Sequence, residues 1–211
     1  MRLLTLAVAT FCRSTSRNTA VTDTHICRLE KELAAFAKQS QISQAEAKKY
    51  FIEKFRIGKG KRSGIIWWNL IDGWPQVSDA IVDYYYCKKL AFHYIQRSQQ
   101  PVCLMFDEPA DGQIALYAVN DLTEAAAVKY SVINLTTGRS VLSGSAVLAA
   151  ESSAPIDSLA VTEDEQTFYL IRWEKDGKVY QNHFHTNLLN ISYEAYMDAI
   201  VKCGMDEFEG F

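Results

Sequence analysis

The sequence predicts an α+β chain built in two parts. In the first half a tryptophan-rich apolar run lies between two stretches of helical periodicity, which is an αβ step. From Pro101 onward the pattern turns to short strands separated by turn signals, the texture of a β-sandwich. With 211 residues and 48% apolar content the chain can bury a real core.

In chain order, Ser43 to Arg56 carries Ala47, Tyr50, Phe51 and Phe55 at helical spacing. Ser43 and Glu46 have the form of a capping box, which predicts an amphipathic helix starting there or nearer Ser40. Gly58 to Ser63 is a flexible basic loop. Ile65, Ile66, Trp67, Trp68 and Leu70 then form a near-continuous apolar run, as expected of a strand covered on both faces, and Asp72-Gly73 and Pro75 stop it. Lys88 to Arg97 resumes helical spacing. Strands are expected at Val102 to Phe106, Gln113 to Val119, Val128 to Leu135, Arg139 to Leu148, Thr167 to Glu174 and Lys178 to His185. Asp111-Gly112, Thr137-Gly138 and Asp176-Gly177 supply the turns. Tyr193 to Cys203 closes the chain as a short helix.

Chemistry concentrates where the apolar run ends. Trp67, Trp68 and Trp74, three of the four tryptophans, stand there beside the Asn69 amide and the Asp72 carboxylate. Aromatic faces next to hydrogen-bonding groups suit a sugar, whose ring has an apolar C–H face and a rim of hydroxyls. Strand alternation places Trp67 on the face opposite Trp68, as packing. Asn69 and Asp72 either bond hydroxyls or brace the loop, and Trp74-Pro75 either rims a pocket or pins the loop. His183 and His185 share one side of a strand, but without a third ligand they read as an exposed sheet face rather than a metal site. Tyr84-Tyr85-Tyr86 reads as packing. Asn134-Leu135-Thr136 and Asn190-Ile191-Ser192 fit the glycosylation acceptor pattern.

Three segments resemble the family 2 glycoside hydrolases, in particular the β-mannosidase-like branch. They are Ala37 to Ala47, Gly64 to Pro75, and Ile81 to Tyr85 with Lys88 to Tyr94, matching in order and spacing. The resemblance implies the last αβ segment of a (β/α)8 barrel over residues 25–100, an immunoglobulin-like β-sandwich over 101–188, and a helix and tail over 189–211. Residues 1–24 stay unassigned. It makes Trp68 a sugar platform, the alternative being a ring packed in the core, with Asn69, Asp72 and Trp74 as further substrate-binding residues. Ile71 and Gly73 depart from the branch's usual asparagine and cysteine, which leaves the sugar open.

A retaining mechanism needs two carboxyls roughly 5 to 5.5 Å apart across the scissile bond. The family's two catalytic glutamates belong upstream of everything matched here, so no catalytic residue is assigned and the chain reads as a tail, inactive alone. Glu30, Glu32 and Glu46 read as a solvated helix face. The competing class is a non-catalytic carbohydrate-binding or structural module.

A net charge of -3 and a pI near 5.8 argue against a nucleic-acid surface. Five dispersed cysteines without a CxxC signal neither a disulfide framework nor a zinc cluster, so no metal or other cofactor is expected. Met1 to Phe11 has the outline of a secretory signal but no small-x-small cleavage site, and it is too short to span a bilayer. The location is read as cytoplasmic, or secreted if residues 1–24 act as a signal. The expected partner is a β-linked glycan in the intact enzyme, with no membrane and with self-association through the exposed barrel segment as a further possibility.

Overall fold

Alternating apolar residues draw the second half of the chain into two antiparallel sheets around one core. The computed structural model describes residues 33–76, 78–162, 165–187 and 191–209. The readings of residues 1–24, Glu30, Glu32 and Asn190 lie outside them. Among the described residues are three helices, α1 (Leu33–Ile57), α2 (Leu90–Ser98) and α3 (Tyr193–Cys203). The seven strands are β1 (Val102–Phe106), β2 (Gln113–Asn120), β3 (Ala126–Asn134), β4 (Arg139–Leu148), β5 (Ser152–Ala160), β6 (Phe168–Lys175) and β7 (Lys178–His185). The chain divides into two compact units, one within Met1–Phe51, Ile65–Gln96 and Leu189–Phe211, the other Ile52–Gly64 with Arg97–Leu188.

The second unit has a three-stranded sheet in the order β1-β2-β5 and a four-stranded sheet in the order β4-β3-β6-β7. Along β3, Ala126, Val128, Tyr130 and Val132 turn inward at a period of two. With Ile114 and Leu116 of β2 and Ile171 and Trp173 of β6 they form the apolar core. Asp176-Gly177 closes the β6–β7 hairpin with both residues at positive φ, the conformation of a tight two-residue turn. The sequence reading missed β5. Its Ser-Ser-Ala-Pro start lacks β-branched and aromatic residues, and Pro155 is tolerated because β5 is an edge strand.

Charged pairs fasten the end of α1 inside this unit. Arg56 donates to the Gln100 carbonyl at 2.8 Å and to Asp121 at 2.7 Å, and Lys59 reaches Asp121 at 2.7 Å. Burial works to raise the Asp121 carboxyl, but the Lys59 hydrogen bond and the Arg56 charge outweigh it and hold it below the usual carboxylate value. The buried Glu53 carboxylate accepts from Asn182 at 2.8 Å.

In the first unit, α1 departs from the expected amphipathic helix. Ser43 lies in the helix interior, so its capping box does not form. Buried residues include Ile42 and Ala45 but also Gln44, Glu46 and Lys48, whose polar ends find partners. Gln44 donates to the Asp79 carbonyl at 2.7 Å. Glu46, expected on a solvated face, is 4% exposed and accepts a hydrogen bond from the Tyr196 hydroxyl, which lies 2.8 Å from the Tyr94 hydroxyl. Burial first, and then the Glu46 charge, push the Tyr196 phenol well above its ordinary value. Ser192 caps α3, its side chain accepting from the Ala195 N–H. Gly204, at φ 63°, ends the helix in the left-handed conformation.

Candidate functional site

The tryptophan run is extended but is not a β-strand. Its pairing begins only at its end, where Asn69 and Leu70 carbonyls accept from Ile81 and Val82, and Asp72 N–H donates to Val82 at 3.1 Å. Ile71 and Val82 make one parallel bridge. No other strand flanks the run among the described residues of this unit, so its apolar side chains face water, as a lone barrel strand without its sheet partners is expected to do. Period-two alternation survives nonetheless: Ile65, Trp67 and Asn69 are half-buried while Ile66, Trp68 and Leu70 are exposed. Trp67 and Trp68 therefore face apart, as alternation requires.

Trp68 is 74% exposed and Trp74 is 64% exposed. The Trp68–Asn69 peptide is cis. The Trp68 carbonyl accepts from Lys48 Nζ of α1 at 2.9 Å, and the same ammonium lies 4.9 Å from the Trp67 ring centroid. Asn69 Nδ2 stands 3.5 Å from the Ile71 carbonyl, and its buried Oδ1 has no hydrogen-bond partner among the described residues.

Asp72 is bonded within its own loop. It is 4% exposed, and Oδ1 accepts from Gln76 Nε2 at 2.9 Å and from the Ser78 hydroxyl, while Oδ2 lies 3.6 Å from Lys89 Nζ. Burial alone would raise this carboxyl. The hydrogen bonds from Ser78 and Gln76, with the Lys89 charge, more than offset it and leave the pKa lowered. The loop from Asp72 to Ser78 thus closes on its own carboxylate and carries Trp74 outward.

Other sequence expectations meet different environments. Tyr84, Tyr85 and Tyr86 are 43%, 70% and 77% exposed rather than packed. Asp83 Oδ1 accepts from the N–H groups of Tyr85 and Cys87, folding a tight loop that turns the three rings outward. His183, expected on an exposed face, is buried and stacks on Phe168 with ring centroids 5.2 Å apart. Asn134 is also buried, its Oδ1 accepting from the Thr136 and Thr137 N–H groups, so its amide is engaged in a turn rather than presented for glycosylation. Lys48 was not singled out in the sequence, because a lysine at helical spacing carries no local sign of the carbonyl it will meet.

No protein-family model matches the chain, and no curated protein sequence matches it. Solved structures share its fold. The β-D-mannosidase from Dictyoglomus thermophilum superposes with a TM-score of 0.68 at 23% identity, over 80% of this chain and 22% of that one. The exo-chitosanase CsxA of Amycolatopsis orientalis gives 0.58 at 16% identity, over 74% and 20%. The chain spans about a fifth of the length of these glycosidases. The resemblance read in Gly64 to Pro75 and its flanking segments is met at the level of the fold.

Proposed function

We propose that the chain is the C-terminal part of a β-mannosidase-like glycoside hydrolase of family 2, acting on β-linked glycans. In this reading the first unit is the last αβ segment of a (β/α)8 barrel and the second is an immunoglobulin-like sandwich. The observation that carries it is the display of Trp68. A large indole face stands in solvent beside Asn69, on a backbone held by Lys48 and a loop held by Asp72. An exposed indole next to an unsatisfied amide oxygen offers both halves of sugar recognition, stacking on C–H groups and hydrogen bonds to hydroxyls. Trp68 is the platform, Asn69 the hydroxyl partner, Trp74 the rim and Asp72 the brace. No catalytic residue is assigned, and the two carboxyls of a retaining mechanism come from sequence outside the matched segments.

The isolated 211-residue chain is therefore expected to show no turnover of aryl β-mannosides, β-glucosaminides, β-galactosides or β-glucuronides. Activity that co-purifies with the chain and is lost on mutating one of its glutamates would overturn the reading. In a full-length relative carrying this segment, Trp68→Ala should lower kcat/KM on the order of a hundredfold or more, a lost stacking contact of a few kcal/mol in the transition state.

The same exposure favours a second reading, a non-catalytic glycan-binding module, and calorimetric titration with β-mannan and chitosan oligosaccharides separates the two. A self-sufficient module binds through Trp68 and Trp74, whereas a part of a larger pocket does not. Ile66, 97% exposed beside Trp68 and Leu70, also supports self-association of the isolated chain. Sedimentation should then give a mass above 23.9 kDa that falls on Ile66→Lys.

A further inference from the structure

Trp68 stands in a segment with little sheet pairing, so its orientation must be set by something other than a β-ladder. The hydrogen bonds that tie the run to Ile81 and Val82 begin at the Asn69 carbonyl, beyond the ring in question. Upstream of that point, among the described residues, the long-range hydrogen bond to the run is from Lys48 Nζ to the Trp68 carbonyl, at 2.9 Å. The same ammonium sits 4.9 Å from the centre of the Trp67 ring. One charged group therefore holds two consecutive residues whose side chains face apart.

We infer that Lys48 is the positioning residue of the tryptophan platform, fixing through the Trp68 carbonyl and the Trp67 ring the direction in which the exposed Trp68 indole faces. The geometry suits the task. Lys48 is 9% exposed, so its four-carbon stem is confined by packing and its head has little freedom to swing away. It projects from α1, a helix of 25 residues, which is a stiffer base than the loop it holds. A cation over an indole face, sheltered from water, is worth more than the same contact in solvent. Among the described residues, Asp79, beyond the tryptophan loop, and Lys89, just ahead of α2, act on it electrostatically. Burial lowers the Lys48 pKa, Asp79 opposes that and Lys89 adds to it, leaving the pKa lowered. Loss of this proton at alkaline pH removes the attraction to the Trp67 ring while leaving an amine able to hydrogen-bond.

The inference rests on the reading of Trp68 as a platform, but its test involves no sugar. The full chain is labelled with 5-fluorotryptophan, and its four fluorine resonances are assigned by single Trp→Phe replacements. Lys48→Met should shift or broaden the Trp67 and Trp68 resonances and leave those of Trp74 and Trp173 in place. Lys48→Arg, which keeps a cation and a donor, should restore them. In the unmutated chain the Trp67 and Trp68 signals should titrate together with a midpoint below the ordinary lysine value. That titration should vanish in Lys48→Arg, whose guanidinium does not deprotonate.

Unchanged Trp67 and Trp68 signals in Lys48→Met overturn the inference, as does a titration that survives in Lys48→Arg. If Lys48→Met fails to fold, the titration of the unmutated chain against Lys48→Arg still decides. A negative result here leaves the glycosidase reading standing, because that reading fails instead on the kinetics of Trp68→Ala.

Discussion

The second unit hides its tryptophan and the first displays two of its own. Trp173 is 1% exposed and stacks on Tyr180 with centroids 5.7 Å apart, while Trp68 and Trp74 stand mostly in solvent. The same side chain thus does two different jobs. In the two-sheet unit, strands pair on both sides of β6 and the ring is enclosed by the core, so its area contributes to stability. In the tryptophan run no strand among the described residues encloses Trp68, and a ring that contributes little to folding is left to be accounted for by what it meets. A buried lysine bonds the backbone carbonyl of this exposed residue, and the comparison can be broken at either end.

The largest effect is expected at Trp173. Trp173→Ala should cost roughly 3 to 5 kcal/mol, read from the urea midpoint of the second unit's transition. A smaller loss would mean that this core is looser than its burial implies. Next comes Gly144 of β4, where a methyl would lie 2.7 Å from the Tyr130 hydroxyl. The absent side chain lets Tyr130 pass over β4 and donate to Asp157 of β5 at 2.9 Å. Gly144→Ala should cost about 1 to 3 kcal/mol by overpacking, seen as a lowered midpoint at unchanged slope.

In the first unit, Asp72→Ala should cost about 1 to 3 kcal/mol, because it leaves the Ser78 and Gln76 donors without their acceptor. The pH dependence follows from the lowered pKa. Unfolded Asp72 binds a proton before folded Asp72 does, so its contribution is present above about pH 4, the unfolded value, and is lost as pH falls through the folded one. Asp72→Asn should flatten that acid limb in a urea series below pH 5.

Tyr130 supplies the opposite limb. Burial first, and then Asp157, push its phenol up to about 12, so the folded state keeps a proton that the unfolded chain loses near pH 10. Stability should fall between about pH 10 and 12, and Tyr130→Phe should remove part of the fall, at a cost of about 1 kcal/mol at neutral pH. The smallest effect belongs to Trp68. Trp68→Ala should change the stability of the chain by no more than about 0.5 kcal/mol, and amides from Gly64 to Trp68 should exchange far faster than those of β3 and β6. Slow exchange in that run would show that it has found a strand partner.

Much of the second unit was readable in advance. β1, β4 and β7 run over the expected residues, their starts marked by Pro101, Thr137-Gly138 and Asp176-Gly177. β5 was not readable, since its place depends on β2 offering a partner edge and not on any propensity in Ser152 to Ala160. In the first unit the aromatic cluster and its polar neighbours were visible as composition. The roles of Lys48 and Glu46 were not, because the groups they meet come from segments 20 and 150 residues away in the chain.

The sequence by itself determined where helices and most strands form, which loops turn, and which short segment gathers tryptophans beside an amide and a carboxylate. Those are local matters of periodicity, φ preference and side-chain type. Only the tertiary structure decided which of those side chains are hidden. It buried Trp173 and left Trp68 in solvent, closed Asp72 onto its own loop, buried His183 against Phe168, and gave the Trp68 carbonyl to a lysine on α1. Burial and hydrogen-bond partnership are properties of pairs of segments, and the spacing of residues along one segment carries no record of the other.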